Sequence, residues 1–162
     1  MHRRRRTFLA GAGAAALAGC LGGRGDDAIR LDSLDVGGSP GGTVPVRQPG
    51  TVSLVDFFAT WCAPCKPQMA NLGAVREQFG PGQLRVTSVT SEEDRGAIRS
   101  FWETYDGAWP VLLDPELEAT RAYEVKGIPT LVLLDADGEV LWRHRGLAGE
   151  ETLRERVREA VE

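Results

Sequence analysis

The sequence predicts an α/β domain, a mixed central sheet flanked by helices. Three observations carry this. From residue 51 onward, short apolar runs rich in β-branched residues alternate with stretches whose apolar residues recur at helical spacing. Two strand-like runs near the C-terminus are separated by Asp135-Ala136-Asp137-Gly138, a hairpin signal, so the sheet closes with an antiparallel pair. A chain of 162 residues, 42% of them hydrophobic, can bury one real core and has no room for two domains of ordinary size.

The elements follow in order. Residues 28–36 alternate apolar and polar like a strand until Gly37-Gly38-Ser39-Pro40-Gly41-Gly42 breaks the pattern. Residues 52–58 form a short apolar run, the signature of a buried strand. The run leads into Trp61-Cys62-Ala63-Pro64-Cys65, after which Met69, Leu72, Val75 and Phe79 keep helical spacing until Gly80-Pro81-Gly82. Residues 84–89 read as the next strand. Ser91, with Asp94 three residues on, predicts a capped helix over 92–105. A strand over 109–113 precedes Asp114-Pro115, the expected start of a helix that carries Leu117 and Tyr123. Strands over 131–134 and 140–144 flank the hairpin turn, and an amphipathic helix over 150–161 closes the chain through Leu153, Val157 and Ala160.

The first 19 residues read as an address rather than structure. Arg3 to Arg6 precede an apolar run over 8–18, followed by small residues, which is the build of an export signal. The run is too short to span a membrane, which needs roughly 20 residues. Arg5-Arg6-Thr7-Phe8-Leu9 resembles a twin-arginine signal, although four consecutive arginines leave ordinary secretory export open. Leu17-Ala18-Gly19-Cys20 resembles a lipobox, in which Cys20 becomes the lipidated first residue. The competing reading is a flexible basic terminus with a chance cysteine. Residues 20–43 are then a Gly-rich tether and leading segment, and 44–162 the folded domain. Cleavage before Cys20 removes four arginines and no acid, which moves the formal net charge from −4 to −8. An acidic domain without a basic stripe is a poor nucleic-acid binder.

Inventory limits the chemistry. The cysteines are Cys20, Cys62 and Cys65, and the histidines are His2 and His144. That set is too small for a disulfide scaffold or a zinc site of four cysteines, and it argues against a His-rich metal centre. Cys62 and Cys65 sit where a buried strand hands over to a helix, three residues apart and within disulfide reach. The positive end of the helix dipole and unsatisfied N–H groups there favour the thiolate of Cys62, and Lys66 adds a cation. Three other readings exist for the pair. Half a zinc site would need a second cysteine pair, and His144 is a lone candidate; a structural disulfide closing so small a loop stabilises little; two buried, inert thiols would not explain the exposed strand-to-helix position expected here. The redox reading accounts for the context as well as the spacing. Asp56 stands inside an otherwise apolar strand, where desolvation raises a carboxyl pKa toward neutrality and makes it a candidate proton acceptor. The alternative is a solvated aspartate on an edge strand.

The run from Val55 through Trp61-Cys62-Ala63-Pro64-Cys65 to Lys66 resembles the active-site segment of the thioredoxin superfamily. Gly127-Ile128-Pro129-Thr130 resembles its cis-proline loop. The extra helix and strand between Ser91 and Leu113, with the stretch over 114–125, resemble the TlpA/ResA-like branch of membrane-anchored proteins. The resemblance spans about residues 44–162. It implies that Cys62 attacks, Cys65 resolves, Asp56 accepts the proton of the resolving thiol, Pro129 is cis and faces the disulfide, Ile128 offers backbone hydrogen bonds, and Trp61 shapes the rim of a substrate groove. It implies no metal or organic cofactor, because the dithiol is the redox group. It implies protein thiols and disulfides as substrates, with a CcdA/DsbD-like transmembrane electron donor where the protein acts as a reductase, for example in cytochrome c maturation. The expected place is the extracytoplasmic face of the cell membrane. Two departures stand out. Many TlpA/ResA-like proteins carry a glutamate three residues after the second cysteine, where this chain has Gln68, and the kinking proline two residues further is Ala70. Asp56 is then the expected replacement for the missing glutamate in tuning the thiols. Two rivals come from other classes: a thioredoxin-fold copper chaperone, for which His144 is the lone candidate ligand, and a non-catalytic binding module. The remaining aromatics and His144 are expected to pack without chemistry.

Overall fold

The central sheet starts earlier than residue 44. The computed structural model describes residues 28–162; the expected export signal over 1–19, the expected lipidation site Cys20 and the expected tether over 21–27 lie outside the described residues. β1 (Arg30–Ser33) alternates exposed and buried residues, as its sequence pattern predicts. β2 (Asp35–Val36) and β3 (Ser39–Pro40) pair in a small antiparallel ribbon, and β4 (Thr43–Pro45) pairs with β1. The leading segment is therefore part of the domain, and the boundary at 44 is corrected to about residue 29. Sequence could not show this, because β1 also pairs with a strand some 80 positions away, a contact no local pattern announces.

β5 (Val52–Phe57) has all six residues buried, which places it in the middle of the sheet. α1 (Cys65–Phe79) follows the cysteine pair and stops where Gly80 takes φ 68°, a left-handed value that glycine adopts without a Cβ penalty. β6 (Leu84–Thr90) lies parallel to β5. α2 (Arg95–Thr104) begins three residues later than predicted. Its cap is Asp94, whose Oδ1 accepts from the Ala97 N–H at 3.0 Å, rather than Ser91. Glu92 is held out of the helix because its carboxylate bonds to Thr60 and Thr90.

β7 (Val111–Leu113) is shorter than expected and lies parallel to β6 and antiparallel to β1. α3 (Glu118–Ala122) also starts late, since Leu117 sits at φ 58°. The buried Asp114 carboxylate accepts from the N–H groups of Glu118, Ala119 and Thr120, which ties the turn to the helix. β8 (Thr130–Leu134) runs antiparallel to β5, and β9 (Val140–Arg145) pairs with β8 across the predicted hairpin. The Asp135 side chain accepts from the N–H groups of Asp137 and Glu139 in that turn. α4 (Glu150–Val161) matches its predicted limits.

The strand order is β4-β1-β7-β6-β5-β8-β9. Alternation along each strand sends one set of side chains to either face. Leu54, Phe58, Leu131 and Leu133 pack with residues of α1, α2 and α4, among them Met69, Leu72, Trp102, Leu153 and Val157. Val55, Phe57, Val89, Val132 and Leu134 face the other way, onto Ala119 of α3, Leu31 of β1 and Val46 just after β4. Burying each large side chain contributes roughly 1.5–3 kcal/mol, so the first face supplies most of the hydrophobic stabilisation. Asp56 falls between Leu54 and Phe58 in the alternation and so belongs to the α1 face.

Candidate active site

Beyond β5 the backbone turns through Ala59 and Thr60 and begins to coil. The Cys62 N–H donates to the Ala59 carbonyl, the Cys65 N–H to that of Cys62, and the Lys66 N–H to that of Ala63. Pro64 is the cap of α1 and Cys65 its first residue, so Cys62 lies one turn ahead of the helix. The two sulfurs are bonded as a disulfide, with Cα atoms 5.3 Å apart. Cys62 is 4% exposed and Cys65 2%, so the pair lies in the surface of the core rather than projecting from it. Trp61 is 73% exposed, an uncommon state for a large aromatic ring beside a buried disulfide.

Glu92 fixes the approach to this turn. Its carboxylate accepts from the Thr60 N–H at 2.8 Å and from Thr60 Oγ1 at 2.7 Å. Sequence reading missed this residue, because it saw the acid as helix and the pairing spans 32 positions. The Ile128–Pro129 peptide is cis, and the Pro129 carbonyl accepts from the Gly146 N–H. Pro129 is buried and Ile128 half-buried, against both sheet faces' clusters.

Asp56 is 1% exposed, so the edge-strand alternative is excluded. Its Oδ2 accepts from Ser88 Oγ at 2.9 Å, while Oδ1 is buried without a hydrogen-bond partner. Burial pushes its carboxyl up to about 7 from the ordinary 3.8, against the smaller opposing pull of the Ser88 hydrogen bond. A carboxyl group in that range exchanges its proton near neutrality, as the sequence position suggests.

Gln68 occupies the place of the absent glutamate and is 1% exposed. Its Oε1 accepts from the Ala148 N–H at 2.8 Å, and its Nε2 donates to the Ala148 carbonyl at 3.2 Å. Asn71 donates to the same carbonyl at 2.9 Å. The amide thus fastens the loop before α4 onto α1, a task needing donor and acceptor together. Gln68→Ala is expected to lower stability by about 1–3 kcal/mol, since it leaves the buried Ala148 N–H unpaired. Chemical denaturation of the oxidised protein measures it, and an unchanged midpoint would contradict the clamp.

His144 lies on β9. Its ring stacks on Trp142 at 5.3 Å and its Nε2 lies 3.2 Å from the Leu147 carbonyl. Among the described residues, no three His, Cys, Asp or Glu side chains gather in a way that could hold a metal ion. No helix among them is long and apolar enough to cross a membrane. A cavity of about 400 Å³ between α1, β6 and the segment before β7 shares no lining residue with the cysteine pair.

Comparison with known proteins agrees with this geometry. The Redoxin family profile matches residues 29–160, nearly the whole described chain. The thiol-disulfide oxidoreductase ResA of Bacillus thuringiensis subsp. konkukian is 29% identical over 101 residues, covering 62% of this chain and 58% of the relative. ResA of Bacillus subtilis is 29% identical over 87 residues, covering 54% and 49%. The chain thus spans about half the length of these relatives. The crystal structure of StoA from Bacillus subtilis superposes with a TM-score of 0.67 at 21% identity, covering 79% of this chain and 94% of that one, a likeness of fold.

Proposed function

The chain belongs to the redoxin family as a TlpA/ResA-like member of the thioredoxin superfamily, and from that premise we propose that it is a protein thiol–disulfide oxidoreductase of the extracytoplasmic membrane face. The observation that carries the proposal is the Cys62–Cys65 disulfide at the head of α1, on the sheet face that also holds the buried Asp56.

In the reducing direction, the Cys62 thiolate attacks a substrate disulfide. A Cys62–substrate mixed disulfide forms and one substrate sulfur leaves as thiolate. Cys65 then gives its proton to the Asp56 carboxylate, attacks the Cys62 sulfur and releases the second substrate thiol. Two electrons pass from the protein dithiol to the substrate, and the Cys62–Cys65 disulfide remains. The dithiol is the redox group, so the reaction calls for no metal or organic cofactor. Trp61 and the backbone of Ile128 are the substrate-facing groups in this reading, with Pro129 setting the loop beside the disulfide. The lipobox ending at Cys20 supports an anchored protein that draws electrons from a CcdA/DsbD-like donor and reduces partner proteins, as in cytochrome c maturation. A copper-carrying role gains nothing from His144, which is engaged with Trp142 and Leu147.

A protein-disulfide reduction assay with dithiothreitol as electron source tests the activity. The parent is expected to accelerate reduction of a model protein disulfide such as insulin, and Cys62→Ser to fall to the uncatalysed rate. A parent indistinguishable from the uncatalysed rate would refute the proposal and favour a binding module.

A further inference from the structure

We propose that Ser88 and Trp109 are positioning residues that reserve one oxygen of Asp56, Oδ1, as the atom that gains and loses the proton. The proposal deepens the oxidoreductase reading and rests on it for its catalytic meaning. Trp109 Nε1 lies 2.9 Å from Ser88 Oγ, and Ser88 Oγ lies 2.9 Å from Asp56 Oδ2. An indole N–H can only donate, so the Ser88 oxygen must accept there. Its single hydroxyl proton is then left for Asp56 Oδ2. The direction of the relay is thus set from the tryptophan end, Trp109 to Ser88 to Asp56.

Oδ2 is therefore an acceptor in both charge states. A proton placed on Oδ2 would have to donate to Ser88 Oγ beside the Trp109 N–H, and the Ser88 hydroxyl proton, turned away from both, would be left buried without an acceptor. Oδ1 has no hydrogen-bond partner and is buried, so it is the oxygen free to take the proton. All three side chains are almost wholly buried, at 1% or less exposure, so water does not compete for these bonds.

Sheet register builds the relay. Asp56 of β5 stands opposite Ser88 of β6, Ser88 stands opposite Val111 of β7, and Trp109 lies two residues before Val111. Charged groups from the surrounding elements do not enter it. β8 carries none. Arg85 of β6 pairs with Ser53, three positions from Asp56, and bonds to Thr87 and the Pro45 carbonyl. Lys66 and Glu77 of α1, and Arg95, Arg99 and Glu103 of α2, are exposed, and Arg76 is half-buried at the far end of α1. Arg154 and Glu150 of α4 pair with each other, and its remaining charges are exposed. Among the described residues, the other buried titratable side chains on this face are Cys62 and Cys65.

The consequence for the reaction is a proton transfer with one landing place. Cys65–SH and ionised Asp56 become the Cys65 thiolate and Asp56 protonated on Oδ1, while the Ser88 bond to Oδ2 persists. Loss of that bond removes a stabiliser of the ionised form, so the carboxyl should hold its proton to higher pH.

The test follows the Asp56 carboxyl-carbon resonance by NMR across pH in the oxidised full-length protein. Ser88→Ala is expected to raise the titration midpoint by about one pH unit, the size expected for losing a hydrogen bond to a charged group. Trp109→Phe, which keeps a ring but no donor, is expected to raise it by less, and Ser88→Thr to return it to the parent value. The Trp109 indole proton should shift with the same midpoint in the parent and stay flat in Asp56→Asn. Midpoints unchanged in both Ser88→Ala and Trp109→Phe, or an indole that ignores Asp56, would overturn the proposal. Should Ser88→Ala fail to fold, Trp109→Phe decides alone. Because the readout needs no turnover, an inactive protein with the expected shifts refutes only the proposed activity, and an active one without them refutes only the relay.

Discussion

Replacing Cys65 by Ala is expected to turn the protein from a catalyst into a trap. Cys62 can still attack a substrate disulfide, but nothing inside the protein can then resolve the adduct. Intramolecular resolution benefits from effective concentrations far above those of free thiols, of order 10⁵ M or more for well-oriented groups. External thiols at millimolar levels cannot match that, so mixed-disulfide lifetimes should lengthen by at least about 10³-fold. In cells, Cys65→Ala should accumulate protein adducts visible on non-reducing gels, and reductant should collapse them. A Cys62→Ser, Cys65→Ala double variant should show none. The adducts should sediment with membranes, and Cys20→Ser should release them to the soluble fraction, which tests the anchor in the same experiment. Absence of Cys62-dependent adducts would remove the proposed mechanism, and membrane association that survives Cys20→Ser would remove the lipid anchor. The identity of the captured proteins also separates a cytochrome-directed reductase from one with broader substrates.

How much of this was legible before folding depends on the range of the interactions involved. The β5 strand, α1, the cysteine pair, the closing hairpin and α4 are encoded by neighbours: apolar runs, helical spacing, turn residues. Those were read with nearly correct limits. The leading strands β1 and β4 were not placed, since their sheet membership depends on β7, and a two-residue strand such as β3 carries almost no pattern of its own. The start of α2 was misread because Ser91 and Asp94 are both acceptable caps locally. The choice between them was made by Thr60, which draws Glu92 out of the helix from 32 residues away. Gln68 was visible as a departure, but its clamp on Ala148 reaches across 80 positions. The same holds for the site. Cys62, Cys65 and Asp56 were visible as an unusual pair and an unusual carboxylate, whereas Ser88 and Trp109 are ordinary residues until strand register brings them together. Residue type marks the groups proposed to react; only topology could mark the neighbours proposed to support them.

Asp56→Asn should then produce two effects with opposite value for the protein. The first is on stability. Burial holds the Asp56 carboxyl near 7 in the folded state, against about 3.8 when the chain is unfolded. Between those values the folded protein keeps a proton that the unfolded chain has released. The folded state binds more protons, so stability falls as pH rises through this window. The contribution is fully present below about pH 3.8 and lost above about pH 7. At 1.36 kcal/mol per unit the loss comes to about 4 kcal/mol. Asparagine cannot ionise, so the variant should lack this component of pH dependence, and its stability relative to the parent should improve by about 4 kcal/mol between pH 4 and pH 8. Denaturant titrations of both oxidised proteins at the two pH values measure it. The second effect is on rate. Without a carboxylate to take the Cys65 proton, resolution of a preformed Cys62 mixed disulfide should slow by about 100-fold at pH 7, the lower range for losing a general base. Attack by Cys62 on a fresh disulfide should be unaffected, and the inflection near pH 7 in the parent's resolution rate should vanish. A stability difference independent of pH would mean the carboxyl does not titrate where its burial places it. Equal resolution rates would mean that it titrates without serving Cys65, leaving Asp56 a buried acid whose cost to the fold has no catalytic return.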